Sequence, residues 1–200
     1  MTSSSEHEAP DLIAHFEYTL GLIQRGWSVD PDRVKMPFQI VQFASGSDED
    51  SVGYATLGLS RHLLESAASD RTIRQELLML APKKMKPDFP VGLLHQLGSM
   101  VLGTHKALLR GNVIGPANAL VPGSELTALY VASPVYFPDE FATFTDDDGD
   151  VVVAWLVPIS TGEADFVWHH GWGAFEDLLL EQDPDLVDFD RPEMKLWPVR

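Results

Sequence analysis

Two hundred residues, 44% of them apolar, suffice for one domain with a sizeable core, since a chain of this length buries roughly 70% of its unfolded surface. The absence of cysteine excludes a disulfide framework, a thiolate zinc site, an iron–sulfur cluster and a cysteine nucleophile. Fourteen Lys and Arg against 30 Asp and Glu leave a formal charge of -16, which argues against nucleic acid and anionic membranes as partners and favours a basic protein.

Residues 1–9 lack the basic start and apolar core of a signal peptide and read as a disordered lead-in. From Pro10 to Ile23, Leu12, Ile13, Phe16, Leu20 and Ile23 recur at helical spacing, with Pro10 suited to a first turn and Gly21 and Gly26 near the end. After a Pro-containing connector, Phe38 to Phe43 alternates as a strand does, and the polar run Ser45 to Asp50 turns the chain into a hairpin partner from Val52 to Leu59. Arg71 to Leu80 suits either a strand or a buried helix face, and periodicity leaves both open. A long helix is predicted over Val91 to Leu109, where Leu93, Leu94, Leu97, Met100, Val101, Thr104 and Leu108 form one stripe, with Asp88 as its cap and Gly111 as its stop.

Leu126 to Ala132 and Val151 to Ile159 are β-branched or aromatic runs bounded by Gly, Pro and Asp, hence strands. Between them Phe141 to Thr145 leads into a hairpin signalled by Asp148-Gly149. Ser160-Thr161-Gly162-Glu163 has the spacing of a capping box and starts a helix. Trp172 to Gln182 is another amphipathic helix, with Phe175, Leu178 and Leu179 on one face and Pro184 beyond its end. Asp183 to Arg200, rich in Pro and Asp, reads as irregular. The longest apolar run, Val151 to Val157, is far short of the roughly 20 residues that a membrane helix needs, so a soluble, cytoplasmic protein is expected.

Chemistry is sparse. Ser60 in Gly58-Leu59-Ser60-Arg61-His62 partly matches a nucleophile elbow, but His62 stands where the second glycine belongs, and a serine at a strand end is the simpler reading. His169-His170, flanked by Trp168 and Trp172, is the densest histidine cluster; adjacent helical positions point apart, and His95 and His105 are too distant to chelate together, so partly buried packing histidines are expected and no metal. An EF-hand frame with Gly149 sixth puts Phe144 first, which cannot ligate, so Asp146, Asp147, Asp148 and Asp150 read as a solvated hairpin tip. No phosphate-binding loop occurs, and no cofactor is expected. As a partner-binding surface the candidates are Asp146, Asp147, Asp148 and Asp150, by charge, with the acidic tail Asp183 to Glu193 adding to their field. Trp168 and Trp172, with Phe175 near them, are candidate aromatic anchors, although core packing accounts for such residues equally well.

The order of segments resembles the suppressor-of-fused-like domain family. Pro37-Phe38-Gln39-Ile40 leads a strand, followed by Tyr54-Ala55-Thr56-Leu57-Gly58-Leu59-Ser60, Gln75-Glu76-Leu77-Leu78-Met79 and Pro82, then the Leu93 to His105 helix and the turn at Gly115-Pro116. Trp155-Leu156-Val157-Pro158-Ile159 ahead of Glu163, and the closing pair Asp190-Arg191, complete the series. The resemblance implies a single α+β domain over residues 10–192, a mixed, mostly antiparallel sheet covered by helices, between the lead-in 1–9 and an irregular tail 193–200. It makes Arg71 to Leu80 a strand. It carries no catalytic residue, and Thr56, Gly58, Ser60, Glu76, Pro158 and Asp190-Arg191 become fold-determining; where relatives often place an acid after the serine, this chain has Arg61-His62. The implied function is non-enzymatic protein binding, as an immunity protein neutralising a basic toxin like single-domain bacterial members. The alternatives are a regulator that captures a peptide, and a hydrolase using Ser60.

Overall fold

Residues whose side chains alternate between two buried faces make the centre of the molecule, and the structure, a computed structural model, describes residues 11–30 and 32–197. Among these residues nine strands form one mixed sheet: β1 (Ile23–Val29), β2 (Lys35–Phe43), β3 (Ser51–Leu57), β4 (Leu64–Glu65), β5 (Thr72–Pro82), β6 (Val113–Ile114), β7 (Leu126–Ala132), β8 (Thr143–Asp146) and β9 (Gly149–Ser160). Their order is β1-β2-β3-β5-β9-β7-β6, with β4 paired to β5 and β8 to β9 off that path. Every pairing is antiparallel except β5 with β9, where Arg74 to Leu78 run beside Val151 to Trp155. Among the described residues four helices cover the faces: α1 (Leu12–Leu20), α2 (Asp88–Thr104), α3 (Thr161–His170) and α4 (Trp172–Gln182). None of the described helices is long and apolar enough to cross a membrane.

Two cores follow from the period of two. Val41, Phe43, Leu78, Leu80, Tyr130, Val153, Trp155 and Val157 face one side, where α1, α3 and α4 cover them. Phe38, Ile40, Tyr54, Leu77, Met79, Leu129 and Leu156 face the other, under α2. The run that periodicity leaves open is β5, because a strand buried on both faces is apolar on both, as Leu77 to Ala81 are. Two fully buried side chains, Phe16 and Leu20, anchor α1. At about 1.5–3 kcal/mol each they hold a nine-residue helix too short to persist alone. Helix α2 sits close enough to the sheet that a Cβ on Gly98 would lie 2.5 Å from the Phe38 ring, so only glycine fits there.

Several boundaries differ from expectation. The first helix starts after the Asp11 cap, whose carboxylate accepts the Ile13 N–H at 2.9 Å, and ends at Gly21; Pro10, like residues 1–9 and 198–200, lies outside the described residues. Ile23 belongs instead to β1, a strand that no pattern signalled because five of its seven residues are exposed at the sheet edge. Helix α2 stops at Thr104, where His105 takes a left-handed conformation, and Asp88 is its first residue rather than its cap. Leu108 is held by Gln75 instead, which accepts its N–H at 2.8 Å and donates to its carbonyl at 3.1 Å. Leu59 lies beyond β3 in a single 3-10 turn, Leu59–Arg61. In the β8–β9 hairpin the two turn residues are Asp147 and Asp148, one position earlier than expected, because Asp146 pairs with Gly149. The capping box is present: Ser160 accepts from Glu163 N–H and Glu163 accepts from Ser160 N–H, each at 3.0 Å.

Candidate functional site

Three consecutive polar residues, Arg74-Gln75-Glu76, interrupt the apolar run of β5; Glu76 and Arg74 both reach the turn at Gly58 to Ser60, Arg74 also reaches the turn at Asp146 to Gly149, and Gln75 reaches Leu108. Glu76 is fully buried and accepts five hydrogen bonds. Thr56 donates its hydroxyl at 2.6 Å and Ser60 its hydroxyl at 2.7 Å; the backbone N–H groups of Gly58, Leu59 and Ser60 donate at 2.8, 3.3 and 3.1 Å. Gly58, at φ +96°, makes the left-handed turn that aims these amides inward. Burial pushes the Glu76 carboxyl above its usual value, opposed by the donors around it.

Ser60 is therefore not a strand-end residue open to solvent. It lies in the 3-10 turn, 3% exposed, with its hydroxyl hydrogen committed to Glu76, an arrangement that offers a substrate no approach. Thr56, Gly58, Ser60 and Glu76, twenty residues apart at most, close into one structural knot. Pro158 and Arg191 join a second. The Arg191 guanidinium forks onto both Glu163 carboxylate oxygens at 2.7 Å and donates to the Pro158 carbonyl at 3.0 Å. Pro158 fits inside β9 because the pairing with β5 ends at Trp155, and its carbonyl side turns to Arg191 rather than to a neighbouring strand.

The acidic hairpin is only partly a solvated tip. Arg74 grips Asp146 through two bonds of 2.5 and 2.9 Å, and donates to Gly149 O at 3.0 Å and to Ser60 O at 3.1 Å. This holds the Asp146 carboxyl below the usual carboxylate range and fixes the turn against the Glu76 knot. Asp146 is thus an anchor, and Asp147, Asp148 and Asp150 are the exposed carboxylates that it presents. Asp150 accepts the Thr145 hydroxyl at 2.6 Å. Only three ion pairs occur among the described residues, Arg74–Asp146, Arg110–Glu176 and Arg191–Glu163, so most of the surface carboxylates are unneutralised. In the tail, Asp185 and Asp188 accept backbone N–H groups of their own turns, at 2.9 Å from Val187 and Asp190 respectively.

Phe175 is fully buried against Tyr130, whereas Trp168 and Trp172 are 54% and 46% exposed. The Arg110 guanidinium lies 4.8 Å above the Trp172 ring while its nitrogens pair with Glu176, which also accepts the Tyr130 hydroxyl at 2.7 Å. That network orients Trp172. The hairpin and Trp172 do not meet. Trp172 packs beside Gly111, which bonds Val131, the partner of Leu156, and Leu156 lies seven positions along β9 from Gly149, about 23 Å at 3.3 Å per residue. Histidines do not cluster either. His169 and His170 are exposed at the end of α3 rather than partly buried, and His105 leaves the helix altogether. No group of three His, Asp or Glu side chains among the described residues is placed to hold a metal.

Sequence reasoning missed Arg74 as the anchor of the turn. The run of polar residues within an apolar strand was the available signal.

The family model described as Suppressor of fused protein (SUFU) matches residues 35–192. Among solved structures the chain is similar to a suppressor-of-fused homologue from Neisseria gonorrhoeae, with TM-score 0.72 and 18% identity over 93% of this chain and 95% of that one. It is similar to the Sufu-Fu complex, with TM-score 0.59 and 19% identity over 79% of this chain and 75% of the other. For Drosophila Suppressor of Fused the TM-score is 0.57 and the identity 20%, over 79% of this chain and 42% of that one. No curated protein sequence matches the chain. At these identities the structural likeness is one of fold.

Proposed function

The chain belongs to the suppressor-of-fused family, and from that membership and its surface charge we propose that it is a protein-binding domain of the immunity type, neutralising a cognate basic toxin in the cytoplasm. The observation that carries this reading is the rigidly mounted acidic turn: Arg74 anchors Asp146 so that Asp147, Asp148 and Asp150 project without a cation of their own. A basic partner is steered to such a turn by a field that extends about 10 Å at 0.1 M salt. Trp168 and Trp172 supply aromatic area of the kind that dominates interface energetics. The fold-level likeness to a bacterial homologue over nearly the whole of both chains supports the single-domain form.

A second reading, a regulator that captures a peptide, draws on the relative solved as a Sufu-Fu complex. Simple strand addition at β1 is discouraged by two register shifts in its pairing with β2, since irregular edges resist further pairing.

The test begins with capture of the tagged protein at low salt from its own cells and identification of the bound partner. Association is then compared for the native protein and a variant carrying Asp147→Asn, Asp148→Asn and Asp150→Asn. The expected result is association slowed roughly tenfold with a flatter salt dependence, and protection of growth against the partner by the native protein alone. An unchanged rate removes the turn from the interface. A harmless partner defeats the immunity reading.

A further inference from the structure

An open groove of about 380 Å3 lies between the terminal strand β1 and helix α2, at the lower end of the roughly 300–1,000 Å3 typical of ligand pockets. Its floor is apolar. Trp27 and Ile40 are register partners across β1 and β2 and share a face with Met36. Opposite them on α2 stands Gly92, and nothing lies within 4 Å of where its Cβ would be. Glycine inside a helix costs about 1 kcal/mol relative to alanine. Neither a left-handed backbone nor a close neighbour requires glycine at this position, and its effect is to leave the groove open. Asp30 and Asp88 border the groove, and among the described residues no lysine or arginine lines it.

We propose that this groove seats an apolar side chain of a basic partner segment, one that presents leucine or phenylalanine beside lysine or arginine. Charge selects that occupant. A second copy of this chain brings the same -16 and is repelled, whereas cations flanking an apolar anchor meet Asp30 and Asp88. The floor supplies the desolvated contact that anchors such segments. The surface is distinct from the acidic turn: β1 lies four strands from β9 in the sheet, about 19 Å at 4.8 Å per strand.

The test uses the full-length protein labelled with nitrogen-15 and titrated with the acetylated, amidated peptide Lys-Lys-Leu-Phe-Lys-Lys. Two control peptides carry Ser-Ser in place of Leu-Phe, or Glu in place of every Lys. Shifts are expected at the Trp27 indole and the Gly92 and His95 amides, with both controls binding more weakly. Gly92→Leu fills the groove and weakens binding roughly tenfold, while its melting temperature does not fall, because the added side chain enters open space on a helix. The Asp147→Asn, Asp148→Asn, Asp150→Asn variant binds the peptide as the native protein does, so failure of the toxin reading leaves this site intact. Equal binding by Gly92→Leu overturns the proposal, as does equal binding of the Ser-Ser peptide or a shift map centred on the β8–β9 turn.

Discussion

Replacing Arg191 by methionine strands a buried charge. Arg191 is 3% exposed and Glu163 is fully buried. In Arg191→Met the carboxylate keeps only its backbone donors, Ser160 and Met194, each at 3.0 Å. Removal of one partner from a buried pair costs about 3–5 kcal/mol, because the remaining charge has lost its compensation. For a domain of this size 1 kcal/mol moves the melting temperature by roughly 2–4 °C, so a fall of roughly 6–20 °C is expected. Adding Glu163→Gln removes the stranded charge while keeping one acceptor for the α3 cap, and it restores part of the loss even though it is a second substitution in the same knot. Urea unfolding followed by tryptophan fluorescence, which includes the buried Trp155, reads both variants, with the slope against urea unchanged if the native state stays compact. A loss below about 1 kcal/mol in Arg191→Met, or a further loss on adding Glu163→Gln, would refute the stranded-charge account.

Three further outcomes concern the other polar contacts. The depressed Asp146 value means that its pair with Arg74 stabilises the fold above the unfolded carboxylate range and that this contribution disappears as pH falls through the folded value; in Arg74→Met the Asp146 carboxyl should titrate in the ordinary range by carbon-13 NMR, and no change there would sever the link between them. Glu76→Gln cannot serve all five donors and should cost about 1–3 kcal/mol. Because burial raises the native carboxyl, native stability relative to this variant should be greater at mildly acid pH than at pH 8; the opposite trend would mean that the donors outweigh burial. Burial, reinforced by the Glu176 carboxylate, pushes the Tyr130 phenol far above its usual value, so Tyr130→Phe should leave the 295 nm alkaline titration of the folded protein unchanged, and a lost step would contradict this.

The local elements were legible because their signals are short-range. Alternation in Phe38 to Phe43 reports the two faces of β2, the Ser160 to Glu163 spacing reports a cap closed within one turn, and Pro184 marks the end of α4. Composition alone determined the acidic surface and the absence of thiol chemistry. The exposed edge strand β1 was invisible, since a strand with little to bury carries no hydrophobic period, and β5 was ambiguous for the opposite reason, being buried on both sides. Resemblance placed Thr56, Ser60, Glu76 and Arg191 among fold-determining positions, but not what joins them. Their knots span 16 to 33 residues and depend on the register of β3 against β5 and on the return of the C-terminal segment to α3. Tertiary structure alone decided that Asp146 is an anchor while Asp147, Asp148 and Asp150 form no ion pair among the described residues, and that Gly92 faces a groove, because burial and pairing are properties of surfaces brought together from distant parts of the chain.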